Sequence, residues 1–135
     1  MATLLIDAHL DGHAELLAMR LESQAWREFG AHLQIHFMHL EQVGLDRKSK
    51  DDVVWRLCQQ NGYYLLTANR NHESDDSLEA TIRREGTAVS LPVFTLADSD
   101  AIYHSAAYLD DVVESLLEYL LEEANYRGTG RLFLP

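Results

Sequence analysis

Short apolar runs that alternate with helix-patterned stretches are the feature that most constrains this fold. The runs lie at residues 3–7, 32–39, 63–66 and 91–96. Each has the length and the flanking residues of a β-strand, and the stretches between them repeat apolar side chains at helical spacing. Strands that alternate with helices favour a parallel sheet with helices packed on it. The sequence therefore predicts a three-layer α/β/α fold with a mostly parallel central sheet of about four strands.

Two of the predicted strands carry signs of their place in the sheet. Residues 32–39 alternate between apolar and polar, which predicts a strand close to the sheet edge with His32 and His36 on one face. Pro92 cannot donate to a strand ladder, so the last predicted strand begins there or lies at an edge.

Capping residues delimit the predicted helices. Helices are expected at residues 13–29, 49–61, 78–86 and 98–126, the last of them with a break near Ser105. The expected N-caps are Asp11, Ser49 and either Asp75 or Asp76, while Gly62 and Gly86 stop the second and third helices.

Length and composition indicate one domain. The 135 residues are enough for one core and too few for two ordinary domains. We divide the chain into an α/β core (1–97), an acidic C-terminal helical region (98–126) and a loop-like tail (127–135), whose apolar end docks on this molecule or on a partner. No apolar run approaches the roughly 18 residues that span a bilayer, and Cys58 has no second cysteine to pair with. A cytoplasmic protein with no membrane contact is expected.

The net charge restricts how the chain can bind nucleic acid. Asp and Glu number 22 against 11 Lys and Arg, which gives a formal charge of −11. Such a balance argues against broad electrostatic binding of nucleic acid, although bound metal ions can supply positive charge locally. Much of the excess is expected on a solvated helix face, at Asp98, Asp100, Asp110, Asp111, Glu114, Glu118, Glu122 and Glu123.

Polar side chains follow two of the predicted strands directly. Asp7 ends the first strand, and a polar stretch from Thr67 to Asp76 follows the third. Ligands of open α/β sheets bind at the carboxyl ends of the strands, so these residues are the first candidates for a site. Asp51 and Asp52 begin the helix between the two strands, where carboxylates suit the helix dipole.

Three segments together resemble the PIN-like nucleases, in particular the small stand-alone type found beside bacterial toxin–antitoxin loci. The first is Leu-Leu-Ile-Asp at residues 4–7, and the second is Ser-Lys-Asp-Asp-Val-Val at 49–54, which leads through Cys58 to Gly62. The third is Tyr-Leu-Leu-Thr-Ala-Asn-Arg-Asn at 64–71. The resemblance covers about the first hundred residues and leaves the acidic C-terminal helix largely outside it.

The resemblance implies a Mg²⁺- or Mn²⁺-dependent ribonuclease. Asp7 would be a metal ligand, and Asp51 would be either a second direct ligand or an acid that supports the ligands from behind. The family's third acidic pair falls on Asn69 and Asn71, whose neutral side-chain oxygens bind a divalent ion more weakly. Glu73 just downstream is the expected substitute ligand, with Asp75 and Asp76 also within reach along the chain. His72 stands where the family has an aromatic residue.

Other residues near these segments have a functional and a structural interpretation. Thr67 and Arg70 are candidate substrate contacts, and the pair Arg83-Arg84 fits either a substrate phosphate or surface ion pairs. His9, His13 and His72 offer an alternative metal site with Asp7. His32 and His36 on their strand offer a separate one, or else face solvent or another subunit. Cys58 occupies an apolar helix position and is expected in the core.

Two functions from different classes remain open at this stage. One is the RNA-cleaving enzyme, with RNA as substrate and an antitoxin as a possible partner. The other is a non-catalytic module that binds a protein partner or itself, which the replacement by Asn69 and Asn71 favours. A homodimer is expected in either case, through the apolar stripe of the C-terminal helix and the tail at 132–134.

Overall fold

The computed structural model describes residues 1–68 and 77–135, which form five strands and the helices around them. The strands are β1 (Ala2–Ile6), β2 (Ile35–His39), β3 (Tyr64–Thr67), β4 (Val93–Leu96) and β5 (Arg131–Leu134). The α-helices are α1 (Asp11–Leu21), α2 (Arg27–Leu33), α3 (Asp51–Asn61), α4 (Leu78–Glu85), α5 (Ala101–His104) and α6 (Ala106–Leu121). Short 3₁₀ turns lie at Leu40–Val43 and Glu123–Asn125.

All neighbouring strands run parallel, in the order β2-β1-β3-β4-β5. Ile6 pairs with both His39 and Leu66, and Thr67 pairs with Thr95. The carboxyl ends of β1, β2 and β3 therefore meet at one edge of the sheet, and the residues that follow them are neighbours in space. This edge is the one at which the sequence predicts a site.

The sheet is buried on both faces, and its side chains divide between two cores. Leu4, Ile6 and Phe94 belong to the core that includes α1 and α6. Leu5, Leu65 and Val93 belong to the second core, with buried residues of α3 and α4. Because successive strand residues point to opposite faces, the continuous apolar run of β1 supplies both cores at once. The three-layer α/β/α prediction is confirmed.

The expected count of about four strands is one too low, because the tail contains β5. Arg131 to Leu134 pair with all four residues of β4, and Leu134 is fully buried. The tail is therefore a strand of this molecule and not a loose end. The C-terminal helix stripe proposed as a dimer contact is also internal: Val112, Val113 and Leu116 of α6 are fully buried.

Several helix boundaries differ from the predicted ones. The helix expected at 13–29 is two helices, α1 and α2, with a turn between them, and His32 lies in α2. Because Gln34 then adopts φ 50° and β2 starts only at Ile35, the shared strand face of His32 and His36 is wrong. The break at Ser105 is confirmed, and the N-cap of α6 is that residue.

The N-caps of three helices are not the predicted ones. Leu10 precedes α1, of which Asp11 is the first residue, and Lys50 takes the place expected for Ser49 before α3. The N-cap of α4 is Ser77 and not Asp75 or Asp76, since the Ser77 hydroxyl accepts a hydrogen bond from the N–H of Ala80 at 3.2 Å. Gly62 ends α3 at φ 72°, as predicted.

No helix formed by residues 1–68 or 77–135 combines the length and the apolar composition that crossing a bilayer requires.

Candidate functional site at the carboxyl end of the sheet

A carboxylate held by neutral donors follows β1. The backbone N–H of Asp7 donates to the carbonyl oxygen of Leu66 at 3.0 Å, which continues the pairing of β1 with β3. Asp7 Oδ1 accepts a hydrogen bond from the N–H of Ala8 at 2.8 Å. Asp7 Oδ2 accepts one from the hydroxyl of Thr67 at 2.6 Å. These contacts fix the orientation of the carboxylate without bringing a positive charge to it.

Thr67 is the last residue of β3 and has no exposed surface. Its hydroxyl connects the ends of two adjacent strands that are separated by 60 residues in the chain. This geometry gives Thr67 a role in positioning Asp7. The predicted contact between Thr67 and a substrate remains a prediction.

Asp51 comes to the same edge from α3, of which it is the first residue. Its Oδ2 accepts a hydrogen bond from the N–H of Leu78, the first residue of α4, at 3.1 Å. The starts of α3 and α4 are thereby joined on one face of the sheet. The negative charge of Asp51 is close enough to Asp7 to raise the pKa of the Asp7 carboxyl.

The pKa of Asp7 lies above its ordinary value of 3.8, mainly because the carboxyl is buried. The hydrogen bonds from Thr67 and Ala8 oppose that increase, the charge of Asp51 adds to it, and the charge of His9 opposes it. Two neighbouring carboxylates repel each other when both are ionised, and a bound cation removes this repulsion. The electrostatics of the pair therefore favour cation binding.

Cys58 of α3 is close enough to feel the charge of Asp7 but is excluded from the chemistry of the site. The thiol is fully buried on α3. Burial, and to a lesser extent the charge of Asp7, raise the pKa of Cys58 to about 12. Because the thiolate is the reactive form, Cys58 is neither a nucleophile nor a soft metal ligand near neutral pH. The expectation that it is a core residue is confirmed.

The donors at this edge suit a hard cation. Carboxylate oxygens are the ligands that Mg²⁺ and Mn²⁺ prefer, and Mg²⁺ is commonly held by one or two carboxylates together with waters and substrate phosphates. Asp7 and Asp51 match that pattern. Within residues 1–68 and 77–135 there is no group of three or more His, Cys, Asp or Glu placed to hold a metal ion.

Several predicted site residues belong to the segment at 69–76 and lie outside the described residues. They are the catalytic candidates Asn69 and Asn71, the substrate contact Arg70, the substitute ligand Glu73, and His72, Asp75 and Asp76. Their proposed roles stay predictions.

The histidines near β1 do not assemble into the alternative metal site within the described chain. His9 is exposed and adopts φ 69°. The His13 ring packs edge-on against Tyr103 of α5, with ring centroids 4.7 Å apart. Both ring nitrogens of His13 are buried and have no hydrogen-bond partner among the described residues. The packing with Tyr103 makes His13 part of the contact between α1 and α5.

The arginines predicted near the site lie in the last turn of α4. Arg83 Nε is 3.8 Å from Glu79 Oε1, and Arg84 Nη2 is 3.4 Å from Glu85 Oε2. At a helical rise of 1.5 Å per residue, Arg84 is about 9 Å along the axis from the start of α4 beside Asp51. The ion-pair interpretation of this pair agrees with the structure.

Sequence reasoning missed a group of charged side chains at the carboxyl end of β2, next to the end of β1. His39, the last residue of β2, has its Nδ1 atom 2.9 Å from Asp11 Oδ1. Arg47 Nη2 lies 3.9 Å from Asp11 Oδ2. The sequence signal was the run Arg-Lys-Ser-Lys at 47–50, directly before Asp51. The net negative charge of the whole chain drew attention away from this short run of basic residues.

A cavity of about 440 Å³ lies elsewhere, at the amino ends of the strands, and is lined in part by Ala2, Tyr64 and Glu123. Glu123 Oε2 there is 3.1 Å from Arg127 Nε and 3.3 Å from the Tyr64 hydroxyl. Its acid is neutralised by an arginine, so the cavity lacks the electrostatic character of the Asp7 site despite its volume. We place the candidate chemistry at Asp7 for that reason.

Comparisons of the chain with models of protein families, with curated proteins and with solved structures gave no match.

Proposed function

We propose that this chain is a PIN-like, divalent-metal-dependent endoribonuclease of the type associated with toxin–antitoxin pairs, acting in the cytoplasm. The observation that carries the proposal is the position of Asp7 and Asp51. They converge on the carboxyl end of a parallel sheet, close enough for one charge to act on the other. Two ionised carboxylates in this arrangement repel each other, and a bound cation would remove that repulsion.

The residues divide the work between binding and positioning. Asp7 and Asp51 would hold Mg²⁺ or Mn²⁺, which when bound activates a water molecule and stabilises charge on a scissile phosphate. Thr67 and the N–H of Ala8 keep the Asp7 carboxylate in one orientation through bonds of 2.6 and 2.8 Å. The bond from Leu78 does the same for Asp51 at 3.1 Å. Because these side chains are already held in place, ordering them would cost little free energy when a cation binds.

The test is Mn²⁺-dependent cleavage of single-stranded RNA by the wild type and by Asp7→Asn. Asparagine keeps the size of the side chain and one oxygen acceptor but removes the charge, so we expect cleavage to fall by at least about 100-fold. Asp111→Asn is the matched control, because Asp111 is exposed on α6 and far along the chain from the site. It should cleave like the wild type.

Two results would contradict the proposal. One is RNA cleavage that persists unchanged in Asp7→Asn, which would place the activity elsewhere or in a contaminant. The other is a folded wild type that cleaves no RNA with either Mn²⁺ or Mg²⁺.

The second result would favour a non-catalytic module that binds a protein partner or itself. The specific observation behind this candidate is the presence of Asn69 and Asn71 where the resemblance calls for acids. An antitoxin or another protein remains a proposed partner for either function. Homodimerisation also remains proposed, without the α6 stripe as its surface, since those side chains are buried inside the protein.

A further inference from the structure

A cluster of positive charge borders the Asp7 site on the β2 side. Arg47, Lys48 and Lys50 are exposed and lie within four consecutive positions, in the connection between β2 and α3. We call residues 47–50 the basic loop. The chain has only 11 Lys and Arg in total and a charge of −11. Three of those cations within four positions are therefore a marked local concentration.

Contacts along the sheet edge place the basic loop beside the candidate site. Arg47 reaches Asp11, which begins α1 just after the loop that carries Asp7. Asp11 in turn contacts His39, whose backbone pairs with Ile6 next to Asp7. At its other end the basic loop runs directly into Asp51. The cations and the carboxylate pair thus share one edge of the sheet.

Hydrogen bonds give the basic loop a defined shape. Asp46 Oδ1 accepts a bond from the N–H of Lys48 at 2.7 Å, and the Ser49 hydroxyl accepts one from the N–H of Asp46 at 3.0 Å. The N–H of Ser49 donates to the carbonyl oxygen of Asp46 at 3.1 Å. Asp46 is thereby engaged with the backbone of the turn, and the Lys48 side chain remains exposed.

The opposite side of the same edge is acidic. Asp98 and Asp100, which follow β4, are both exposed. Outside the basic loop, ion pairs with acids are formed by Arg20, Arg56, Arg83, Arg84, Arg127 and Arg131, and within the loop Arg47 lies 3.9 Å from Asp11. Along the described part of the carboxyl edge, the exposed cations of the basic loop lie toward β2, and the exposed acids Asp98 and Asp100 lie beyond β4. A polyanion approaching the site is attracted from the β2 side and repelled from the β4 side.

We propose that the basic loop binds backbone phosphates of single-stranded RNA and leads the strand across the β2 edge to Asp7 and Asp51. The inference rests on the proposed function for its choice of RNA. Phosphate contacts by Arg and Lys position a strand without reading its sequence. The loop would therefore contribute affinity and direction, and little base preference.

The experiment measures binding of a fluorescently labelled single-stranded RNA by anisotropy in EDTA, over a range of salt concentrations. The test variant is Arg47→Ala/Lys48→Ala. Each lost phosphate contact should reduce the slope of log K against log salt by about 0.7, hence by about 1.4 for the pair. At roughly 50 mM salt this corresponds to a loss of affinity of tenfold or more.

The control variant is Arg83→Ala/Arg84→Ala, which also removes two positive charges, in this case from the far end of α4. It should bind RNA within about twofold of the wild type, because non-specific binding depends on charges that reach phosphates. The exchange Arg47→Lys/Lys48→Arg keeps both charges and should restore binding. Thermal unfolding of each variant shows that it is folded.

Three results would overturn the inference. The first is a wild type that does not bind RNA in EDTA, and the second is an equal loss of RNA affinity in the test and control variants. The third is tighter binding of the wild type to an oligo-glutamate than to an RNA of equal length. The last would assign the basic loop to an acidic protein partner. RNA binding through the loop without any metal-dependent cleavage would leave this inference standing and defeat the proposed nuclease function. If Arg47→Ala/Lys48→Ala cleaved RNA as fast as the wild type does, this inference would fail and the proposed nuclease function would stand.

Discussion

Asp7 at the carboxyl end of the sheet and the ion-paired acids Asp110 and Glu85 on the helices stand in opposite electrostatic environments. Burial and Asp51 raise the pKa of Asp7. Arg20 and Trp26 lower the pKa of Asp110, and Arg56 lowers the pKa of Glu85. Acids of the second kind connect secondary structure elements: Asp110 of α6 accepts a bond from Arg20 of α1 at 2.9 Å, and Glu85 of α4 one from Arg56 of α3 at 2.7 Å.

The two kinds of acid have opposite effects on the stability of the fold at neutral pH. An acid whose pKa falls on folding adds to stability at neutral pH, and one whose pKa rises subtracts from it. Selection for stability alone would remove an acid such as Asp7 or give it an arginine. The raised pKa of Asp7 beside Asp51 makes this pair a candidate site, because acids with perturbed pKa values cluster at functional sites.

The largest stability effect expected from an acid–base contact is at Arg131. This side chain is 10% exposed, and its guanidinium donates to Glu79 at 3.0 Å and to the buried hydroxyl of Thr95 at 2.7 Å. Removing one partner of a largely buried ion pair leaves the other polar groups without compensation. We expect Arg131→Ala to lower the free energy of unfolding by about 2 kcal/mol in urea titrations.

Arg127→Ala is the matched control for that substitution. Arg127 pairs with Glu123 at 3.1 Å, but both side chains are well exposed. Exposed pairs contribute little, so the loss should stay below about 1 kcal/mol. Equal losses in the two variants would contradict the ranking of these contacts by burial.

A smaller effect of opposite sign is expected at Asp7. Its raised pKa means that the folded state holds the Asp7 proton more tightly than the unfolded chain does. The free energy of unfolding of the wild type therefore falls as pH rises from the ordinary value of 3.8 through the folded-state pKa. Asp7→Asn lacks this loss. Its stability relative to the wild type should increase over that pH range and then stay constant up to neutral pH.

Asp110→Asn sharpens the contrast, because the pKa of Asp110 is lowered in the folded protein. The stability that Asp110 contributes is present above its ordinary value of 3.8 and is lost as pH falls through the folded-state pKa. The Asn variant should therefore be less stable than the wild type at neutral pH, and this deficit should shrink in acid. Denaturant titrations at several pH values compare both variants. If the stability of Asp7→Asn and of Asp110→Asn relative to the wild type changed with pH in the same way, the distinction between acids with raised and with lowered pKa values would fail.

Local patterns in the sequence account for most of the fold and fail where tertiary contacts decide. The apolar runs of β1 and β3 predict strands because a two-sided parallel sheet buries every residue in them. The sequence predicts a loop at residues 131–134 because Gly128 and Gly130 precede them, and only the pairing with β4 makes this short run a strand, β5. Ser23 separates α1 from α2, since its hydroxyl donates to the carbonyl oxygen of Arg20 and competes with the helical backbone.

The site was predictable in part for the same reason. Asp7 follows a strand and Asp51 begins a helix, and both positions can be located from the sequence alone. The bond from Thr67 to Asp7 spans 60 residues and depends on the register of β1 against β3, which no local pattern specifies. The basic loop escaped notice because net charge averages over the chain and hides where the few cations lie.

The most direct test of the account is calorimetric titration of Mn²⁺ into metal-free wild type, Asp7→Asn and Asp111→Asn. We expect saturable binding of Mn²⁺ to the wild type and to Asp111→Asn, and loss of that binding in Asp7→Asn. Failure of the wild type to bind Mn²⁺, or binding that is unchanged in Asp7→Asn, would contradict the claim that the acids at the carboxyl end of the sheet form a cation site.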